Sequence, residues 1–228
     1  HTGQMTYEDD VKKVPVAALS APDADQLQRA LLKGTVEVNV VLDVISQGEA
    51  ISGNVIAEIP GETDEIVLIG GHLDSWDLGT GAIDDGAGIG ITVGAAKLIL
   101  DLNKTPRRTI RIVLFGSEEV GLIGAKAYAK KYRDRLDKHI VGAESDFGAG
   151  RIWKFDTNFA QEKLFLAEAM HKVLEPLGIG RGDNNASGGP DIGPLRELGV
   201  PAVTLKQNGW DYFDYHHTAD DTLDKIDK

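Results

Sequence analysis

Three apolar, largely β-branched runs mark the middle of the chain, and each gives way abruptly to acid or imidazole. Glu65 to Gly71 leads into His72 and Asp74, Thr109 to Gly116 into Ser117-Glu118-Glu119, and Ile140 to Ala143 into Glu144-Ser145-Asp146. Hydrophobicity that dominates so few residues, broken only by Glu65 at the start of one run and Arg111 within another, marks strands buried on both faces, the signature of an α/β sheet. Shorter strand signals occur at Pro15 to Ser20, Val36 to Val44, Asn54 to Ile59 and Val200 to Leu205, with an early antiparallel pair expected from Val36 to Val44 and Asn54 to Ile59. Helical spacing is expected from Pro22 to Leu32, closed by Gly34, in the small-residue stretch after Gly86, from Ala125 to Tyr132, and from Glu162 to Leu177. Gly188-Gly189-Pro190-Asp191 opens a further short helix with Asp191 as its expected cap.

The polar residues at the strand ends are of metal-binding types. His72 and Asp74 are two apart, so an extended backbone points them to one side and the carboxylate can orient the imidazole. Asp84 and Asp85 follow a glycine-rich loop; either alone reads equally well as a helix cap. Glu118-Glu119 taken singly reads as an acidic helix start. Tyr215-His216-His217, with Asp220-Asp221-Thr222 beyond it, adds two imidazoles beside carboxylates. Successive strand ends bearing acids place these groups where open α/β sheets bind their ligands.

Taken together, His72-x-Asp74, Gly81-Ala82-Ile83-Asp84-Asp85-Gly86-Ala87-Gly88, Ser117-Glu118-Glu119-x-Gly121-x-x-Gly124, Glu144-Ser145-Asp146 and His217-x-x-x-Asp221-Thr222 resemble the M28 family of co-catalytic zinc peptidases. The spellings around His72 and His216-His217 are most similar to its carboxypeptidase Q branch. The resemblance runs from about residue 36 to the end. It implies a three-layer αβα sandwich around a mixed, mostly parallel sheet, with residues 35–228 as the peptidase domain and 1–34 as a linker or the remnant of a protease-associated domain. It further implies two Zn²⁺ per chain: His72, Asp84 and Asp146 at one, Glu119 and His217 at the other, Asp84 bridging. Glu118 matches the general base and Asp74 the residue that orients His72. Glu144 competes with Asp146 for the third strand end, and the Glu-Ser-Asp spelling favours Asp146. His216 is left to face the substrate carbonyl or to pack. The implied substrates are dipeptides or short peptides, in either aminopeptidase or carboxypeptidase polarity. A homodimer partner that closes the pocket and a secreted or periplasmic location follow from the same resemblance.

The chemistry suits the residue types independently. Two divalent ions roughly 3.5–4 Å apart activate a shared water and polarise a carbonyl. Nitrogen and oxygen donors suit zinc, and the absence of cysteine excludes a thiolate site. Two other classes remain open: a metal-free receptor-like relative, and a single-zinc acyltransferase of the glutaminyl cyclase type. Metal stoichiometry separates them.

Charge and length narrow the rest. With 36 acidic against 24 basic residues and a net charge of -12, DNA and RNA are poor partners. Lys130, Lys131 and Arg133 form the densest basic cluster and read as the wet side of a helix. No apolar stretch approaches the roughly 20 residues of a membrane span. Arg181, Lys206, Asn208, Trp210 and Tyr212 are candidates for lining a substrate pocket. The first residue is not methionine, and Asp221 to Lys228 reads as the opening of a helix, so the chain is expected to be a piece of a longer protein.

Overall fold

The computed structural model describes residues 2–3, 7–8, 10–43 and 48–227, which fall into two compact units, 1–51 and 52–228. In the first unit α1 (Ala21–Leu31) forms where the periodicity places it. Ser20 caps it by accepting the Asp23 amide at 3.3 Å, and Pro22 occupies its first turn. The expected strands at Pro15 to Ser20 and Val36 to Val44 do not form among the described residues; Val44 lies outside them. Alternation there is not enough, because no described strand of this unit offers a ladder to satisfy their backbone groups.

The second unit is built on a seven-stranded sheet. Its strands are β1 (Val55–Ile59), β2 (Thr63–His72), β3 (Arg108–Phe115), β4 (His139–Glu144), β5 (Ile152–Asn158), β6 (Gly180–Arg181) and β7 (Ala202–Gln207), in the order β1-β3-β2-β4-β7-β5-β6. The central strands β3, β2, β4 and β7 are parallel, so their carboxyl ends share one edge. β1 runs antiparallel to β3, pairing Val55 with Leu114 and Ile59 with Ile110, and β5 runs antiparallel to β7. The early antiparallel partner of β1 is therefore a strand some fifty residues later, not the segment before it.

Alternate residues of the central strands serve opposite faces. Ile66, Leu68, Val113 and Phe115 pack with Ala125, Tyr128 and Ala129 of α3 (Ile123–Lys131) and with Leu195 of a short helix, Gly193–Glu197. Val67, Ile69, Ile110 and Ile112 pack beneath Ala96 and Ile99 of α2 (Ala87–Asp101). Val141 and Ala143, in register with Val67 and Ile69, extend that second face towards Leu174 of a later helix, Leu164–Leu174. The result is a three-layer αβα arrangement. Helix Leu164–Leu174 buries only Ala167 completely; Phe165, Leu166, Met170 and Val173 border an apolar groove of about 910 Å³ against Val67 and Val141, which is why its apolar set is wider than its buried face. Among the described residues no helix is long and apolar enough to cross a membrane.

Close packing brings the loops above the strand ends together. At Gly88, in the first turn of α2, a Cβ would lie 1.8 Å from the Ser145 carbonyl oxygen and 2.1 Å from Asp85 Oδ1. Only glycine lets this helix start sit against the loop after β4.

Candidate metal centre

His72 ends β2, Glu118 and Glu119 follow β3, Asp146 follows β4, Asp84 lies in the turn before α2, and His217 comes from the loop after the short helix Tyr212–Tyr215. These side chains meet at the shared edge. His72 Nε2 lies 3.1 Å from Asp84 Oδ1 and 3.6 Å from Asp146 Oδ1. His217 Nε2 lies 3.2 Å from Asp84 Oδ2 and 3.0 Å from Glu119 Oε2. Asp84 thus presents one oxygen to each histidine-centred set. His217 adopts φ +56°, a left-handed backbone uncommon outside glycine, where it makes that approach. His216 stacks on His217 with centroids 3.6 Å apart, and its Nε2 is 3.3 Å from Asp84 Oδ2.

Several of the site's carboxylates do a different job: they accept backbone N–H groups of the loops that carry the others. Asp74 takes the amides of Glu118 and Glu119 at 2.9 and 3.1 Å. Asp85 takes those of His72 at 3.0 Å and Gly88 at 3.1 Å, so of the aspartate pair Asp85 is the helix cap and Asp84 is released to face the histidines. Asp221 takes those of Ile83 at 2.6 Å and Asp84 at 3.2 Å. Glu144 takes that of Asp191 at 2.8 Å.

This corrects several expectations. The atom that orients His72 is the main-chain carbonyl of Asp74, 2.8 Å from Nδ1; the Asp74 carboxylate stands 3.9 Å away because two amides already occupy it. Asp191 does not cap the helix that follows, whose cap position is Ile192, and instead lies fully buried against Glu144. Glu144 is turned away from His72, and Asp146 faces it. Of the candidate pocket residues, Arg181 is bound to Glu168 and the Gly182 carbonyl, and Lys206 to Asp156. Asn208, Trp210 and Tyr212 do line a cavity, of about 160 Å³, which reaches Ile83 and Phe147, the neighbours of Asp84 and Asp146. Sequence reasoning missed Asp221 as a clamp: its partners lie 137 and 138 residues away, and no local pattern signals them.

The electrostatics show an excess of buried negative charge. Burial, with the charges of Asp146, Asp84 and Asp74 outweighing that of His72, raises Glu118 to about 7. Burial and Asp84 raise Glu119 to about 8, and burial and Asp146 raise Asp85 to about 8. Glu144 is pushed well up by burial and by Asp191. Burial would lower His72, but the carboxylates of Asp146 and Asp84 beside its Nε2 hold it far above its usual value. Burial would raise Asp84, yet His72 and the charges of His216 and His217 keep it below the usual carboxylate range.

The donor set fits divalent metal. Asp84 Oδ2 and Asp146 Oδ1 are sealed from solvent without a hydrogen-bond donor, a costly arrangement that a cation relieves. Ligand atoms of His72, Asp84 and Glu119 lie within 4.8 Å of one another, as do those of Asp84, His216 and His217, and those of His72, Asp85 and Asp146.

The model of Peptidase family M28 matches residues 54–228, and the chain belongs to that family. Mouse carboxypeptidase Q is 33% identical over 230 residues, covering 100% of this chain and 49% of the relative. A Peptidase M28 precursor from Shewanella amazonensis SB2B, known from a crystal structure, is 52% identical with a TM-score of 0.89, covering 100% of this chain and 52% of that one. A zinc aminopeptidase from Bacillus subtilis shares the fold, with TM-score 0.57 and 22% identity over 76% of this chain and 45% of its own. The chain spans about half the length of the curated relatives it matches.

Proposed function

We propose that the protein is a metallo-exopeptidase with two zinc ions, cleaving dipeptides or short peptides. The observation that carries this is Asp84, with Oδ1 at 3.1 Å from His72 and Oδ2 at 3.2 Å from His217. A carboxylate so placed can serve two cations. His72 and Asp146 would share one with Asp84, and Glu119 and His217 the other. Zinc agrees with the nitrogen and oxygen donors and with the name of the Bacillus subtilis neighbour. When bound, such ions lower the pKa of water towards neutrality and polarise a carbonyl.

Glu118 does the proton transfer. Its carboxyl, raised to about 7, is poised to take a proton from the attacking water and to return it to the leaving amine. The Asp74 clamp on its amide holds the base in place while it does so. The cavity beside Ile83, Phe147 and Tyr212 would receive a substrate side chain. On the likeness to carboxypeptidase Q, the full-length protein would act in the periplasm or outside the cell.

The test is the zinc-loaded full-length protein assayed on a free dipeptide, its N-acetyl form and its amide, with and without a chelator. The expectation is zinc-dependent cleavage of the free dipeptide and two zinc ions per chain by elemental analysis. Loss of cleavage on blocking the amine defines an aminopeptidase; loss on amidation defines the reverse. Cleavage indifferent to chelation, or one or no zinc per chain, overturns the dinuclear reading.

A further inference from the structure

Trp76 lies in the same loop as His72 and Asp74, four residues beyond the histidine, and none of the roles assigned above requires it. Its indole ring packs 5.8 Å from the His217 imidazole, tilted by 54°. Its Nε1 is sealed from solvent and has no partner of hydrogen-bond geometry. Glu119 Oε1 is sealed and unpartnered in the same way, while Glu119 Oε2 faces His217 Nε2 at 3.0 Å. An indole nitrogen can only donate and a carboxylate oxygen can only accept. Both flank one residue: the indole ring meets the same His217 imidazole that Glu119 Oε2 faces. A sealed lone donor and a sealed lone acceptor packed against the same imidazole are complementary.

We propose that Trp76 is a positioning residue for Glu119: its indole N–H holds Oε1, which turns Oε2 towards His217 and the cation they share. The inference rests on the metal-binding reading above. It gives the segment from His72 to Trp76 two grips on one ligand. Asp74 fixes the Glu119 backbone at 3.1 Å, and Trp76 fixes its side chain. Outer donors of this kind typically govern metal affinity by roughly 10- to 100-fold.

The experiment is a Zn²⁺ titration of the full-length protein against a competing chromophoric chelator, for wild type, Trp76→Phe, Glu119→Gln and the double variant. Phenylalanine keeps most of the ring and removes only the donor. Trp153→Phe is the control, because Trp153 donates to the Gln207 carbonyl in a strand pair outside the ligand set. The expectation is that Trp76→Phe weakens one of the two binding steps roughly 10- to 100-fold and spares the other. It should leave the melting temperature of the metal-free protein near that of Trp153→Phe, and add nothing in the Glu119→Gln background. Unchanged binding in both steps overturns the inference and leaves the metal reading intact. Equal weakening of both steps with a lowered metal-free melting temperature makes Trp76 a packing residue and also overturns it. A wild type that binds no zinc removes both.

Discussion

Replacing Asp221 by asparagine tests whether the loops of the proposed metal site are held by carboxylate clamps. Asp221 is 4% exposed, and its two oxygens accept the Ile83 amide at 2.6 Å and the Asp84 amide at 3.2 Å. Hydrogen bonds to a charged acceptor contribute roughly 1.5–3 kcal/mol each, against about 1 kcal/mol for a neutral one. Asparagine keeps one oxygen as a neutral acceptor and turns an NH₂ donor towards the other N–H. One charged bond is lost and the second is weakened, so the cost is about 2–4 kcal/mol. The bonds of the Asp221 carbonyl to Thr80 survive, because they belong to the main chain. In a unit of this size each kcal/mol shifts the melting temperature by roughly 2–4 °C, so calorimetry on the metal-free variant should show a fall of about 4–16 °C. Zinc affinity should fall too, roughly 10- to 100-fold, because the loosened amide belongs to Asp84 itself. A fall of less than about 2 °C together with unchanged zinc affinity would refute the argument that this clamp positions Asp84, the proposed bridge.

Glu118→Gln should lower turnover about 100- to 10,000-fold while elemental analysis still finds wild-type zinc, since only the proton carrier is removed; a variant retaining more than roughly a tenth of the rate removes Glu118 from the role. Metal-free protein should become less stable as pH rises from about 4.5 to about 8. Glu118, Glu119 and Asp85 have folded-state values raised to about 7, 8 and 8, so the native state binds more protons than the unfolded state across that window, and their contribution is fully present only below it. His72, also raised, acts in the same direction above its usual value. Melting curves at several pH values, with and without zinc, check this: zinc should restore stability most at the alkaline end, and a metal-free melting temperature that climbs with pH counts against it. Gly88→Ala should destabilise by about 1–3 kcal/mol or more in urea unfolding, because the nearest atom, 1.8 Å from the added Cβ, is the backbone oxygen of Ser145 and cannot swing aside. Finally, chelation should abolish cleavage and lower the melting temperature, and zinc at about 100 times its Kd should return roughly 2.7 kcal/mol.

Where the sequence was legible, burial made it so. Strands covered on both faces are predominantly apolar, so β2, β3 and β4 stand out as runs despite the buried, paired Arg111 in β3, and the polar residues that close each run lie at the sheet's edge. The types and order of those residues carried the resemblance to family M28, and it was the resemblance that nominated His72, Asp84, Glu118, Glu119, Asp146 and His217. Local pattern failed where tertiary partners decide the outcome. Val36 to Val44 alternates, but residues 36–43 form no strand, since alternation supplies no ladder. Nor could composition divide labour among chemically identical groups. Asp84 and Asp85 are adjacent and alike, yet one faces two histidines while the other caps α2 and holds the His72 amide. Asp74, Asp221 and Glu144 became clamps because folding brought amides to within 2.6–3.2 Å of their oxygens. The sequence by itself determined the buried central strands and which chemistry gathers at their ends. The tertiary structure decided which carboxylates are spent on backbone and which are left over for metal, because a hydrogen bond across 137 residues depends on where the chain returns.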